Sequence, residues 1–122
     1  MSSQVSEFPS VVDVHWLASH LGDDDLVVGD VRGPNAHMRG HIPGAKHVEV
    51  GQLYAGPGQP ESPERIRELV GAPEGAEVVA YCHSGSRSAL ATLALRSAGY
   101  DARNYAGSWH EWSRHAELPL ER

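Results

Sequence analysis

Two short apolar runs, Leu26-Val27-Val28 and Val78-Val79-Ala80-Tyr81, each end in polar residues that lead on to a helical pattern. Strand and helix signals alternate in this way along the chain, with glycine and proline between them. That order predicts an α/β fold of three layers, a central parallel sheet with helices on both faces. Asp13 caps a first helix carrying Val14, Trp16, Leu17, Ala18 and Leu21, and Gly22 stops it before Asp23-Asp24-Asp25. Leu26 to Val31 then reads as a buried strand, Ala36 to Arg39 as a short helical turn, and Lys46 to Val50 as a second strand. Ala55 to Pro63 is rich in Gly and Pro and predicts an exposed loop. Ser62-Pro63-Glu64 starts a helix as cap, first-turn proline and dipole-matched acid, with Ile66, Leu69 and Val70 on one face and an end near Gly71. Glu77 to Cys82 is a strand, Ser88 to Ala98 a helix closed by Gly99, Asp101 to Tyr105 a last short strand, and Ser108 the cap of a terminal helix with Trp109 and Trp112.

A chain of 122 residues suits one domain, residues 1–122, with 1–9 expected to form a flexible N-terminal segment. A domain of this size buries roughly two-thirds of its unfolded surface, so it needs no staple or metal to fold. The 16 acidic residues against 10 Lys+Arg give a formal charge of -6, which repels a phosphate backbone and argues against nucleic acid as a partner. Met1 to Pro9 lacks an apolar core of signal-peptide length, and no stretch is long and apolar enough to span a bilayer, so neither a membrane nor export is expected. A single cysteine cannot form an internal disulfide, and a reducing compartment such as the cytoplasm keeps its thiol available.

That cysteine, Cys82, ends a strand and is followed by His83-Ser84-Gly85-Ser86-Arg87 and then an alanine-rich helix. A thiol there faces backbone N–H groups that have no intrahelical partner, and the positive end of the helix dipole favours its thiolate, the reactive species. Gly85 permits a crowded or left-handed backbone, which lets consecutive N–H groups converge as an anion-binding nest. Ser84, Ser86 and Ser88 can add hydroxyl donors, Arg87 can hold an anion with its fork of N–H groups, and a protonated His83 can raise the local potential. Gly85→Val is expected to harm activity more than stability. In an open parallel sheet ligands bind beyond the carboxyl ends of strands, where Cys82 and Asp30 both fall.

Four separated motifs carry a resemblance to the single-domain rhodaneses, which are sulfurtransferases. Asp30-Val31-Arg32 resembles the Asp-x-Arg that ends an early strand, and Gly40-His41-Ile42-Pro43-Gly44-Ala45 the Gly-His-Ile-x-Gly-Ala signature. Tyr81 to Ser88 is similar to the catalytic loop, and Gly107-Ser108-Trp109-His110-Glu111-Trp112 to the Gly-x-x-x-Trp segment near the end of these domains. The resemblance implies a sheet of about five strands and a catalytic Cys82 that carries sulfur as a persulfide, with no cofactor besides that covalent intermediate. The donor is then a small sulfur-containing anion such as thiosulfate, and the acceptor cyanide or a thiol. The backbone N–H groups of His83 to Arg87 are implied to hold the sulfur. Cys82 to Arg87 spans six residues, one fewer than in phosphatase relatives whose cradle takes a tetrahedral oxyanion, which disfavours a phosphatase or arsenate reductase. The alternative within the family is a persulfide carrier or non-catalytic module serving a desulfurase or thiol carrier protein.

The remaining candidates read as support. Asp30 and Arg32 suit a structural ion pair, and His41 a hydrogen-bonding residue that holds the loop before Ile42 and Pro43. His37 and His41 have the spacing of metal ligands on a helix, but Gly40 and the following Ile-Pro break that helix, so no metal is expected. Trp109 and Trp112 suit core packing, with Trp109 a possible wall of the pocket mouth. No Walker sequence, dinucleotide glycine pattern or Gly-x-Ser-x-Gly elbow is present.

Overall fold

In the computed structural model, which describes residues 11–122, the chain begins with β1 (Val11–Val12), α1 (Val14–His20), β2 (Leu26–Asp30), α2 (Pro34–Arg39) and β3 (Lys46–His47). A 3-10 turn (Val50–Leu53), β4 (Tyr54–Gly56), β5 (Gln59–Pro60) and α3 (Pro63–Val70) follow. The second half holds β6 (Glu77–Tyr81), α4 (Ser86–Ser97), β7 (Asp101–Tyr105) and α5 (Ser108–Trp112). The segment 1–9 lies outside the described residues.

Five strands form one parallel sheet in the order β1-β7-β6-β2-β3. The two apolar runs are its centre, because a parallel strand covered on both faces has no solvent side to present. Side chains along β6 alternate between two cores. Val78, Ala80 and Cys82 pack with Ile66 and Val70 of α3 and Ala91, Ala94 and Leu95 of α4, whereas Val79 and Tyr81 pack with Val14 and Leu17 of α1 and Trp112 of α5. Helices therefore cover both faces, and all five carboxyl ends fall on one edge.

Local signals placed several boundaries well. The Asp13 carboxylate accepts the Trp16 N–H at 2.8 Å, the Ser62 hydroxyl accepts the Arg65 N–H at 3.2 Å, and Gly71 closes α3 at φ +77°. The segment expected as a loop from Ala55 to Pro63 instead contains the antiparallel hairpin β4-β5, turned at Gly58 with φ +68°. Its proline is tolerated because the ribbon stands apart from the main sheet, and the Tyr54 hydroxyl anchors it by donating to the Leu90 carbonyl at 2.7 Å. Of the strand expected from Lys46 to Val50, Lys46–His47 forms β3, and the Val48 and Val50 N–H groups carry the hydrogen bonding on to the Asp30 and Val31 carbonyls as the 3-10 turn begins. Helix α2 starts at Pro34, two residues ahead of expectation, since proline suits a first helical turn.

At the carboxyl edge a buried polar knot ties three segments together. Asp30 is fully buried and accepts five hydrogen bonds: from the Arg32 main-chain N–H, Nε and Nη2, from His37 Nδ1, and from the Tyr81 hydroxyl. Burial pushes its carboxyl up, but the Arg32 side chain and amide and then His37 outweigh that and hold it below the ordinary 3.8. Arg32 Nη2 also donates to the Gly40 carbonyl at 2.7 Å, and the Tyr81 oxygen accepts the Ile42 N–H at 3.0 Å. His47 Nε2 caps the Arg32 carbonyl at 2.6 Å. The Gly40–Ile42 loop is thus fixed against β2 and β6. Tyr81→Phe leaves the Ile42 amide buried without an acceptor, so a loss of about 1–3 kcal/mol is expected in urea unfolding; unchanged stability would remove the phenol from this role.

Candidate active site

β6 delivers Cys82 to the carboxyl edge, and the chain must then turn sharply to enter α4. Gly85 makes that turn at φ +100° as the residue before the helix. A Cβ on it would stand 2.5 Å from the Ala106 carbonyl oxygen and 3.2 Å from its carbon, so both the conformation and the space demand glycine. The turn aims the Gly85 N–H at Cys82 Sγ, 3.0 Å away. It also starts α4 at Ser86, two residues earlier than the sequence suggests, which puts Ser86, Arg87 and Ser88 in the first helical turn.

Cys82 is only 1% exposed, yet its sulfur does not sit in a purely hydrocarbon setting. The Ser88 hydroxyl donates to Sγ at 3.4 Å and lies 3.2 Å from the Gly85 carbonyl. Burial pushes the thiol up; the Ser88 hydroxyl and the amides of Ser88, Gly85 and Ser84 outweigh it and bring it from an ordinary 9.0 down to about 7. The arrangement supplies a nucleophile that is about half ionised at neutrality and a ring of donors for negative charge on an added sulfur.

The other expected residues divide between the loop and its support. The Ser84 and Ser86 side chains are exposed; Ser84 reaches the sulfur with its amide rather than its hydroxyl. Arg87 is exposed in the first turn of α4 and takes no part in the ion pairs of the described residues. His83 is exposed, its ring edge-on to His110 at 5.5 Å. Asp30 and Arg32 lie in the knot on the opposite side of the sheet from Cys82, where they brace the edge. Trp109 is half-buried with its ring 4.9 Å from the Arg32 guanidinium, and Gly40 lies close beneath it, where a Cβ would stand 3.0 Å from that ring. His41 donates to the His37 carbonyl at 2.8 Å, and the two rings stack at 3.9 Å although α2 ends at Arg39. Among the described residues no group of three or more His, Cys, Asp or Glu is placed to hold a metal ion.

Two residues escaped sequence reasoning. Ser108, read as a helix cap, is itself the first residue of α5 at φ +56°, and Gly107 precedes the helix. Its hydroxyl accepts the Cys82 N–H at 3.1 Å and donates to the Tyr105 carbonyl at 2.8 Å. Asn104 on β7 donates from Nδ2 to the Gly85 carbonyl at 3.2 Å, bracing the turn from the neighbouring strand. A buried asparagine and a serine outside the loop motif gave no local signal; only the β6-β7 pairing brings them to the cysteine.

The Rhodanese-like domain family matches residues 13–115. A thiosulfate sulfurtransferase of Azotobacter vinelandii is 34% identical over 122 aligned residues, covering 87% of this chain and 44% of that protein. The sulfur carrier protein TtuD of Thermus thermophilus is 34% identical over 86 residues, covering 66% of this chain and 30% of that protein. The chain therefore spans less than half the length of either relative. Among solved structures, the human single-domain sulfurtransferase TSTD1 superposes with a TM-score of 0.71 at 32% identity, covering 88% of this chain and 98% of that one.

The alkylation rate of Cys82 by iodoacetamide is expected to rise with thiolate fraction and reach half its plateau near pH 7, falling below that pH; a midpoint near 9.0 would contradict the donor ring. The Ala106 carbonyl also revises the expectation for Gly85, because any side chain there meets main chain. Gly85→Ala is expected to lose about 2–4 kcal/mol in thermal or urea unfolding, from left-handed strain plus overpacking, together with slowed alkylation.

Proposed function

Since this chain belongs to the rhodanese-like family, we propose that it is a sulfurtransferase that moves a sulfane sulfur from an anionic donor such as thiosulfate to cyanide or a thiol through a persulfide on Cys82. The observation that carries this reading is the buried Sγ held 3.0 Å from the Gly85 N–H and 3.4 Å from the Ser88 hydroxyl, with its pKa drawn down to about 7. In the first half-reaction the Cys82 thiolate attacks the outer sulfur of thiosulfate. The new S–S bond forms as the old one breaks, and sulfite leaves with the bonding pair. In the second, the acceptor attacks the outer sulfur of Cys82–S–S⁻, and the thiolate returns as leaving group. Neither half requires a proton at sulfur, which suits a site built from donors rather than from a general base. Arg87, exposed at the loop rim, is suited to the oxygens of the donor, and the Gly85 and Ser88 donors to the persulfide charge.

A second reading is a persulfide carrier that is loaded by a desulfurase and unloads onto a thiol carrier protein. The likeness to a sulfur carrier favours it. So does the apolar surface of α4, the helix that begins at the loop, where Leu90 is 52% and Leu93 62% exposed. In either reading the thiol must stay reduced, which fits the cytoplasm, and among the described residues no helix is long and apolar enough to cross a membrane.

Intact-mass spectrometry after exposure to thiosulfate is expected to find one added sulfur atom, removed by reductant and absent in Cys82→Ser. Sulfur transfer to cyanide by Cys82→Ser would overturn the assignment. Steady turnover with thiosulfate and cyanide alone supports the enzyme reading; loading only from a desulfurase supports the carrier.

A further inference from the structure

The Ser108 hydroxyl occupies a place that sulfur transfer does not by itself explain. Ser108 is fully buried and is, among the described residues, the one non-glycine residue with positive φ. Glycine would adopt that backbone without strain, whereas an L side chain resists it. The fold therefore keeps a side chain where its backbone disfavours one, and what the side chain adds is the hydroxyl that links the Cys82 N–H to the Tyr105 carbonyl. Strain held in this way beside a reactive group points to a role for the group that holds it.

The geometry around Cys82 supplies that role. The register of β6 on β7 runs to Ala80↔Asn104, so Cys82 and His83 lie past the end of the ladder. The first turn of α5 replaces the missing strand: the Ser108 Oγ takes the Cys82 N–H at 3.1 Å, the Trp109 N–H donates to the Cys82 carbonyl at 2.9 Å, and the His110 N–H donates to the His83 carbonyl at 2.9 Å. Both peptide groups of Cys82 are thereby pinned. Sγ hangs from this backbone through Cβ alone, so a small tilt of the Tyr81–Cys82 peptide carries the sulfur away from the Gly85 N–H at 3.0 Å and the Ser88 hydroxyl at 3.4 Å.

We propose that Ser108 is the positioning residue of the nucleophile: its hydroxyl orients the Cys82 main chain so that the thiolate meets the donor ring. The proposal deepens the sulfur-transfer reading, and it rests on that reading only for the effect on turnover.

The test compares Ser108→Gly with Ser108→Ala. Both lose the hydroxyl, but glycine relieves the left-handed strain and alanine keeps it, so the glycine variant is expected to melt at the higher temperature. Despite that difference, both are expected to alkylate with iodoacetamide about tenfold more slowly than wild type at pH 7, with the midpoint of the pH profile moved up toward 9.0. With thiosulfate, kcat is expected to fall in both while KM stays close to wild type, because Arg87 is untouched. A glycine variant with the wild-type alkylation profile, or losses that follow melting temperature so that only alanine is impaired, would overturn the proposal. Slowed alkylation in both variants of a protein whose wild type takes up no sulfur from thiosulfate or a desulfurase would uphold the positioning role and refute sulfur transfer instead.

Discussion

A main-chain hydrogen bond to sulfur, from the Gly85 amide to Cys82 at 3.0 Å, sets conditions that much of the fold exists to meet. An amide three residues on can face the sulfur only if the chain doubles back, and that needs the left-handed backbone of Gly85. Once it has turned, α4 begins immediately and brings its unpaired first-turn amides and the Ser88 hydroxyl to the same side. The depth of the thiol makes this balance decisive. Burial favours the neutral form, and without converging donors a cysteine exposed to only 1% would be an inert core residue.

The edge that holds this loop is stiffened from both sides of the sheet. On one, Asn104 braces the Gly85 turn with a side-chain hydrogen bond, and past the strand ends α5 grips the strand exit with side-chain and main-chain hydrogen bonds. On the other, Asp30 gathers Arg32, His37 and Tyr81, and through them the Gly40–Ile42 loop. A buried ion pair contributes little net stability against an apolar replacement, because desolvation offsets most of the attraction. What this one contributes is geometry: besides the three hydrogen bonds from Arg32, the carboxylate takes one from His37 of α2 and one from Tyr81 of β6, and removing it would leave the buried Arg32 guanidinium without its charge partner.

The features legible in the sequence are those set by neighbours in the chain. The buried runs, the caps at Asp13 and Ser62, the terminal glycines at Gly71 and Gly99 and the cysteine at a strand end all follow from local chemistry, and so does the parallel sheet they imply. The two-residue strand β1 is too short to show a period, and the hairpin from Tyr54 to Pro60 carries the Gly and Pro that ordinarily mark a loop. The early start of α4 depended on Gly85 acting as the pre-helical residue in place of a serine. Ser108, Asn104 and the stacked rings of His37 and His41 depend on which strands and loops become neighbours, a matter of register and packing that a single chain does not display.

The alternation along β6 has a consequence for how this sequence can change. Tyr81 and Cys82 point to opposite faces, the phenol toward Asp30 and the thiol toward α4. Adding or deleting one residue within Glu77–Tyr81 would exchange the two, sending sulfur into the carboxylate cluster and a phenol into the amide cradle. Descent with modification can therefore replace side chains along this strand one at a time, but it cannot alter the strand's length by an odd number and keep the chemistry.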